Sequence, residues 1–153
     1  MKKTILLVLA VILALSVIGC KTASGDEPKI PKETPTMTVT YGDKTITVKR
    51  YTNSWSYVAW GGKWTGYVQD SMDPLEDKNM VTLEVTKDDI EKYGLTATLH
   101  FDFPPTKLND TVNPAEDITF ELQEGVHTYY AEWEIPDMLK GECYYAFNCS
   151  IQQ

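Results

Sequence analysis

Leu95-Thr96-Ala97-Thr98-Leu99-His100-Phe101-Asp102-Phe103 is the stretch that decides the fold. Leu95, Ala97, Leu99, Phe101 and Phe103 fall on one side of an extended chain, and Thr96, Thr98, His100 and Asp102 on the other. Period-two alternation of this kind predicts a strand with one face in a core and one in water. Pro104-Pro105 ends it, because proline has no N–H to give a strand ladder. A second run puts His127, Tyr129, Ala131, Trp133 and Ile135 together, with Thr128, Tyr130, Glu132 and Glu134 opposite, and stops at Pro136. Val81, Leu83 and Val85 alternate with Thr82 and Glu84 in a third.

Working outward, Met37 to Tyr41 and Thr45 to Tyr51 flank Gly42-Asp43, which predicts a hairpin. Ser54 to Trp60 and Trp64 to Val68 flank Gly61-Gly62-Lys63 and predict another. Ile118 to Leu122 and Cys143 to Ile151 supply two more strands. Helix is expected only at Thr86 to Tyr93, where Thr86 and Asp89 have capping spacing and Gly94 follows, and for one turn at Asp137 to Lys140. About nine short strands with turn signals between them imply an all-β, antiparallel sandwich of the immunoglobulin-like kind. A closed barrel has the same periodicity and stays open as an alternative.

The chain has 153 residues, 42% hydrophobic and 24% charged, with a net charge of −8. One domain fits that length, and the apolar fraction is too high for a disordered chain. The acidic balance argues against a nucleic-acid partner, which needs a basic footprint.

Residues 1–19 read as an export signal. Lys2 and Lys3 precede an apolar run from Ile5 to Leu15, and small residues lead to Cys20. The run is short for a membrane span. An ordinary signal peptide with a coincidental cysteine and an uncleaved anchor helix are the alternatives. Removing residues 1–19 takes away two lysines and no acid, so the remainder is more acidic and is repelled by an anionic lipid surface. Residues 20–35 read as the anchoring cysteine and a flexible linker, with Pro28, Pro31 and Pro35 set among polar residues. Its last fifteen residues, at roughly 3.1 Å each, span about 45 Å. Residues 36–153 form the expected domain.

Cys143 and Cys149 invite a disulfide in an exported protein. On one continuous strand, however, six residues separate their Cα atoms by about 20 Å, and a bridge needs less than about 7 Å. Two free thiols packed among aromatics are expected, with a bridge across a bent segment as the competitor. A zinc site is not expected from two cysteines and two distant histidines, and no cofactor is implied.

Candidate chemistry is sparse. His100 and Asp102, two residues apart on a solvent face, are the nearest thing to an oriented base, but no nucleophile elbow or oxyanion loop accompanies them. The bland alternative is a solvated sheet face. His127 falls on an apolar face, where a partly covered histidine is commonplace. Asp70, Asp73, Glu76 and Asp77 crowd one loop without the spacing of a calcium-binding hand, so a solvated charged loop is expected ahead of a weak Ca²⁺ site. The unusual density is aromatic: Tyr51, Trp55, Tyr57, Trp60, Trp64 and Tyr67. Trp55 and Trp60 fall on opposite faces of one strand. If one face of this hairpin binds a sugar ring or an anchor of a partner protein, Trp60 and Trp64, with Tyr67 beside them, are the candidates. Cross-strand aromatic pairing that merely stabilises the hairpin is the alternative.

Val17-Ile18-Gly19-Cys20 resembles the lipobox of bacterial lipoproteins, with Val in place of the usual Leu. The resemblance implies a diacylglycerol on the Cys20 thiol, and two or more acyl chains anchor a protein stably. Together with the Pro/Lys/Glu tether, Ser54-Trp55-Ser56-Tyr57 and Tyr144-Tyr145-Ala146-Phe147, it resembles a group of uncharacterised Gram-positive (Firmicutes-type) lipoproteins. That implies a sandwich domain on the outer face of the cytoplasmic membrane, and it supplies no catalytic residue. The expected function is a non-catalytic binding or accessory module whose partner is a cell-wall carbohydrate, a peptide or another surface protein. A small extracytoplasmic hydrolase or metal-dependent enzyme using His100 and Asp102 is the alternative.

Overall fold

The computed structural model describes residues 29–59, 61–70 and 72–152. The export signal, Cys20, residues 21–28 of the expected linker and Trp60 lie outside them. In chain order the strands are β1 (Met37–Tyr41), β2 (Lys44–Thr47), β3 (Lys49–Ala59), β4 (Lys63–Gln69), β5 (Thr82–Val85), β6 (Thr96–Phe101), β7 (Lys107–Leu108), β8 (Thr111–Val112), β9 (Asp117–Glu121), β10 (Gly125–Ile135) and β11 (Leu139–Ile151). A helix α1 (Lys87–Tyr93) sits between β5 and β6. The strands make two packed sheets, one ordered β2-β1-β6-β9 and a larger one ordered β4-β3-β11-β10-β7-β8. This is the expected all-β sandwich.

The core lies between the sheets and comes from the alternations above. Ala97, Leu99 and Phe101 of β6 and Met37, Val39 and Tyr41 of β1 meet Trp55 of β3, Ala131 and Trp133 of β10, and Cys143, Tyr145 and Phe147 of β11. Phe101 stands edge-on to both Trp133 and Tyr145, with centroids 5.9 and 5.6 Å apart. Such T-shaped contacts are favoured by the ring quadrupoles. Trp55 and Trp133 touch in the same way at 5.3 Å, although β11 lies between their strands. The residue between them is Gly141, paired with Trp55 on one side and Trp133 on the other. A Cβ there would come 2.2 Å from Trp55 Cε3, so glycine is required for the two indoles to meet.

Several local features depart from expectation. The strand expected over Thr45 to Tyr51 is split at Val48, which is buried while the chain passes from the smaller sheet to the larger. One straight strand cannot serve two sheets. The helical turn expected at Asp137 to Lys140 is instead the β10–β11 turn. Met138 N–H donates to Ile135 O at 3.0 Å and Asp137 has φ 62, which with Pro136 at the second position makes a type II turn. The short β7–β8 pair was not anticipated, nor was the one parallel pairing, β5 with the end of β11. β5 joins β11 at Asn148 to Ile151, beyond Ala146, the last residue paired with β3. The expected helix is present with both halves of its capping box, Thr86 and Asp89.

The cysteines behave as the straight-strand geometry requires. Cys143 and Cys149 are free and buried on the inner side of β11. Burial pushes the Cys143 thiol up to about 12 and also raises Cys149.

The linker boundary needs correction. Residues 30–35 were expected to be spacer, yet Thr34 is 3% exposed and Pro35 is buried. Trp55 Nε1–H donates to Pro31 O at 2.9 Å, Arg50 Nη1–H to Thr34 O at 2.6 Å, and Tyr145 O–H to Pro35 O at 2.6 Å. The Thr34 hydroxyl donates to Asn53 Oδ1 at 3.3 Å, and Ile30 packs on the core. The stretch cannot order itself, but β3 and β11 supply donors for the carbonyls that its prolines leave unpaired. It is a strap over the inner face of β3 and belongs to the domain.

Candidate functional site

The β3–β4 hairpin carries the aromatic density, and its register sorts the side chains onto two faces. Trp55 pairs with Tyr67 and Tyr57 with Thr65; Val58 pairs with Trp64, Ser56 with Gly66 and Ser54 with Val68. Successive strand residues alternate faces. Trp55 and Tyr67 therefore point inward, while Trp64 points out with Val58, Ser56 and Ser54.

Trp64 and Tyr67 consequently do not form one surface. The Tyr67 hydroxyl lies 2.7 Å from Thr34 Oγ1 and accepts the Thr34 N–H at 2.9 Å, so it holds the strap. Trp55 is 0% exposed and belongs to the core. Trp64 is 48% exposed on the outer face of the larger sheet, and it alone of the three proposed ligand contacts is placed there among the described residues.

Beside Trp64 the outer face is hollow. A shallow trough of about 350 Å³ runs along Ser56 and Trp64 to Val68. Ser56 also borders a second hollow of about 310 Å³, lined by Ser54, Glu132, Glu134, Lys140 and Glu142. Gly66 leaves the first trough open for a reason internal to the sheet: a Cβ there would lie 2.0 Å from Trp55 O. Two of the three carboxylates are oriented. Tyr130 O–H donates to Glu142 Oε2 at 2.6 Å, and Lys107 Nζ lies 3.2 Å from Glu132 Oε1. The Tyr130 phenol is held well above its usual range by desolvation and by that Glu142 bond. The face thus offers the Trp64 indole, the Tyr130–Tyr144 pair with ring centroids 4.6 Å apart and Tyr144 47% exposed, two serine hydroxyls, three carboxylates and the Lys140 ammonium. That set can stack a flat ring and hydrogen-bond its substituents.

Ser54, Ser56, Glu132, Glu134, Lys140 and Glu142 were not singled out from sequence as site residues. Their signal is the parity that places Trp55 and Trp133 in the core, which puts their even-numbered neighbours outside.

The remaining candidates part company. His100 and Asp102 do not act on each other. His100 Nδ1 lies 2.8 Å from Asp117 Oδ1, its cross-strand partner on β9, while Asp102 Oδ1 accepts the Thr36 N–H at 2.8 Å. Residues i and i+2 on a strand are about 6.6 Å apart, and the facing strand is closer. His127 stacks on Phe147 with centroids 4.8 Å apart, and its Nε2 is 2.8 Å from Gln123 O. In the acidic loop Asp77 binds Lys49 and the Tyr51 hydroxyl, and Asp73 accepts the Leu75 N–H. Lys49 and the Asn79 N–H hold the Asp77 carboxyl below its usual range. Among the described residues no three His, Cys, Asp or Glu side chains gather to hold a metal ion, and no helix is long and apolar enough to cross a membrane. No protein family, no curated protein and no solved structure matches the chain.

Proposed function

We propose that the protein is a non-catalytic binding module, tethered to the outer face of the cytoplasmic membrane by a lipid on Cys20, which recognises its partner with the outer face around Trp64. The single observation that carries the recognition surface is Trp64 itself, half exposed beside a hollow, whereas the other tryptophans among the described residues, Trp55 and Trp133, are in the core. An exposed indole beside hydrogen-bonding groups is material for a sugar ring or for an anchor residue of a cell-surface protein or peptide. Export and lipidation rest on the basic, apolar and Val17-Ile18-Gly19-Cys20 segments. No observation favours the hydrolase built on His100 and Asp102, since each of them is bound to a different partner.

The test uses full-length protein in detergent and an isolated cell-envelope fraction. Trp64→Ala should lose retention on the envelope while keeping the wild-type Tm, because its side chain is outside the core. Undiminished retention would remove Trp64 from recognition. An equal loss of Tm would make it a structural residue. Metabolic labelling with a fatty acid checks the anchor: the label should be absent from Cys20→Ala, and its persistence there would refute lipidation at Cys20.

A further inference from the structure

The sheet edges differ in how they discourage strand addition. An edge strand presents unpaired backbone N–H and C=O groups, and natural edges are kept short, charged, bulged or covered. β2 has four residues and begins with Lys44, and β8 has only two. β9 opens on Asp117 and ends on Glu121, so two copies laid antiparallel would oppose carboxylates. β4 shares with β2 only a lysine at its first position. All seven of its residues are exposed, Lys63 carries its one charge, it contains no proline, and its register with β3 is unbroken. Among the described residues nothing pairs with its far edge.

β4 is also complementary to itself. Two copies laid antiparallel and centred on Gly66 place Trp64 against Val68, Thr65 against Tyr67, and Lys63 against Gln69. Aromatic residues opposite β-branched ones are favourable cross-strand pairs, and a two-fold axis produces each of them twice. No like charges meet along this edge, although the chain as a whole carries −8. Val68 is 74% exposed in the single chain, so an apolar side chain gains a partner at little loss.

We propose that two copies of this chain join edge to edge through β4, continuing the larger sheet across a two-fold axis at Gly66. The axis is perpendicular to the sheet, so both Trp64 side chains stay on one continuous outer face. The pairing does not require that the face bind a ligand, although Trp64 takes part in both.

The experiment is the molar mass of the full-length protein in detergent by light scattering, over a rising concentration series. A mass approaching twice that of the chain is expected. Trp64→Glu with Val68→Glu opposes carboxylates at both pairs and should return the monomer with β4 still folded. Trp64→Lys with Val68→Lys should do the same, and mixing the two double variants should restore a dimer. A wild type that stays monomeric throughout would overturn the proposal. So would a dimer unaffected by the Glu variant, or a mixture that fails to pair. Slow amide exchange along the outer edge of β4 in a monomer would put another part of the chain there and would equally overturn it.

Discussion

Replacing Gly141 with alanine puts the packing of the core to its sharpest test, because the generic expectation has the opposite sign. Glycine in a strand interior is worth roughly 0.5–1 kcal/mol less than alanine, so Gly→Ala should stabilise an ordinary strand. Here the new Cβ would lie 2.2 Å from Trp55 Cε3 and 2.4 Å from Cζ3, where carbon atoms need about 3.5–4.0 Å. The indole must retreat by about 1.5 Å. It is fully buried, it stands edge-on to Trp133, and its N–H is committed to Pro31 O. Overpacking costs about 1–3 kcal/mol, and a buried donor pulled from its acceptor costs about 1–3 more. A net loss of about 1–5 kcal/mol follows, which for a domain of this size lowers Tm by roughly 3–25 °C. Calorimetry of Gly141→Ala alone, Trp55→Ala alone and the pair closes a double-mutant cycle. Trp55→Ala should cost about 3–5 kcal/mol, and adding Gly141→Ala to it should cost nothing further. A Gly141→Ala protein that melts with or above the wild type would show that the Trp55–Gly141–Trp133 stack does not exist as described.

Gly66→Ala brings its Cβ to 2.0 Å from the Trp55 carbonyl, and backbone cannot rotate away as a side chain can. Amide exchange along β4 should therefore accelerate more than at β10, and unchanged exchange would contradict the β3–β4 register. The Lys44 ammonium, 2.7 Å away, and the Thr86 hydroxyl and N–H hold the Asp89 carboxyl well below the usual carboxylate range. A depressed acid lends stability above its unfolded value near 4, and that stability is lost as pH falls through the folded value. Asp89→Asn should thus lower Tm at neutral pH, with the deficit shrinking below about pH 4; a deficit that grows on acidification would refute the assignment. Cys143 and Cys149 should resist a thiol reagent at pH 8 in the native protein and react at once in denaturant, since burial keeps both protonated. Rapid native labelling would mean that the inner side of β11 opens.

What the sequence shows plainly is period. Ala97, Leu99 and Phe101 carry an unbroken alternation into the core, as do Ala131 and Trp133, because a half-buried strand has no other way to satisfy two solvents at once. Parity also settles the cysteines, which share a face but lie too far apart along β11 to bridge. Alternation does not reveal a change of sheet. Nothing in the pattern of Thr45 to Tyr51 marks Val48 as the crossing, because a buried valine fits either sheet. The β7–β8 pair is too short to show any period. β5 was visible as a strand, but its partner was not, since the place beside β11 is left open only where its pairing with β3 ends.

The strap and Tyr67 show where local reasoning stops. Residues 30–35 have the composition of a spacer, and taken alone they would be one, because three of the six are proline or isoleucine and the rest are polar. Composition describes what a segment can bury by itself, whereas these residues are ordered by donors from elsewhere: Arg50, Trp55 and Tyr145 each supply one hydrogen bond to a strap carbonyl. Tyr67 adds its hydroxyl from β4. Trp64 and Tyr67 are close in sequence, and density alone groups them. Three residues along a strand is an odd step, however, and an odd step changes face. The same count that separates them also explains why Trp64 has no structural task in the core while Tyr67 has one at the strap. An aromatic cluster on a hairpin should therefore be split by parity before it is assigned to a ligand, and here the split leaves one indole facing outward and one phenol bound to its own chain.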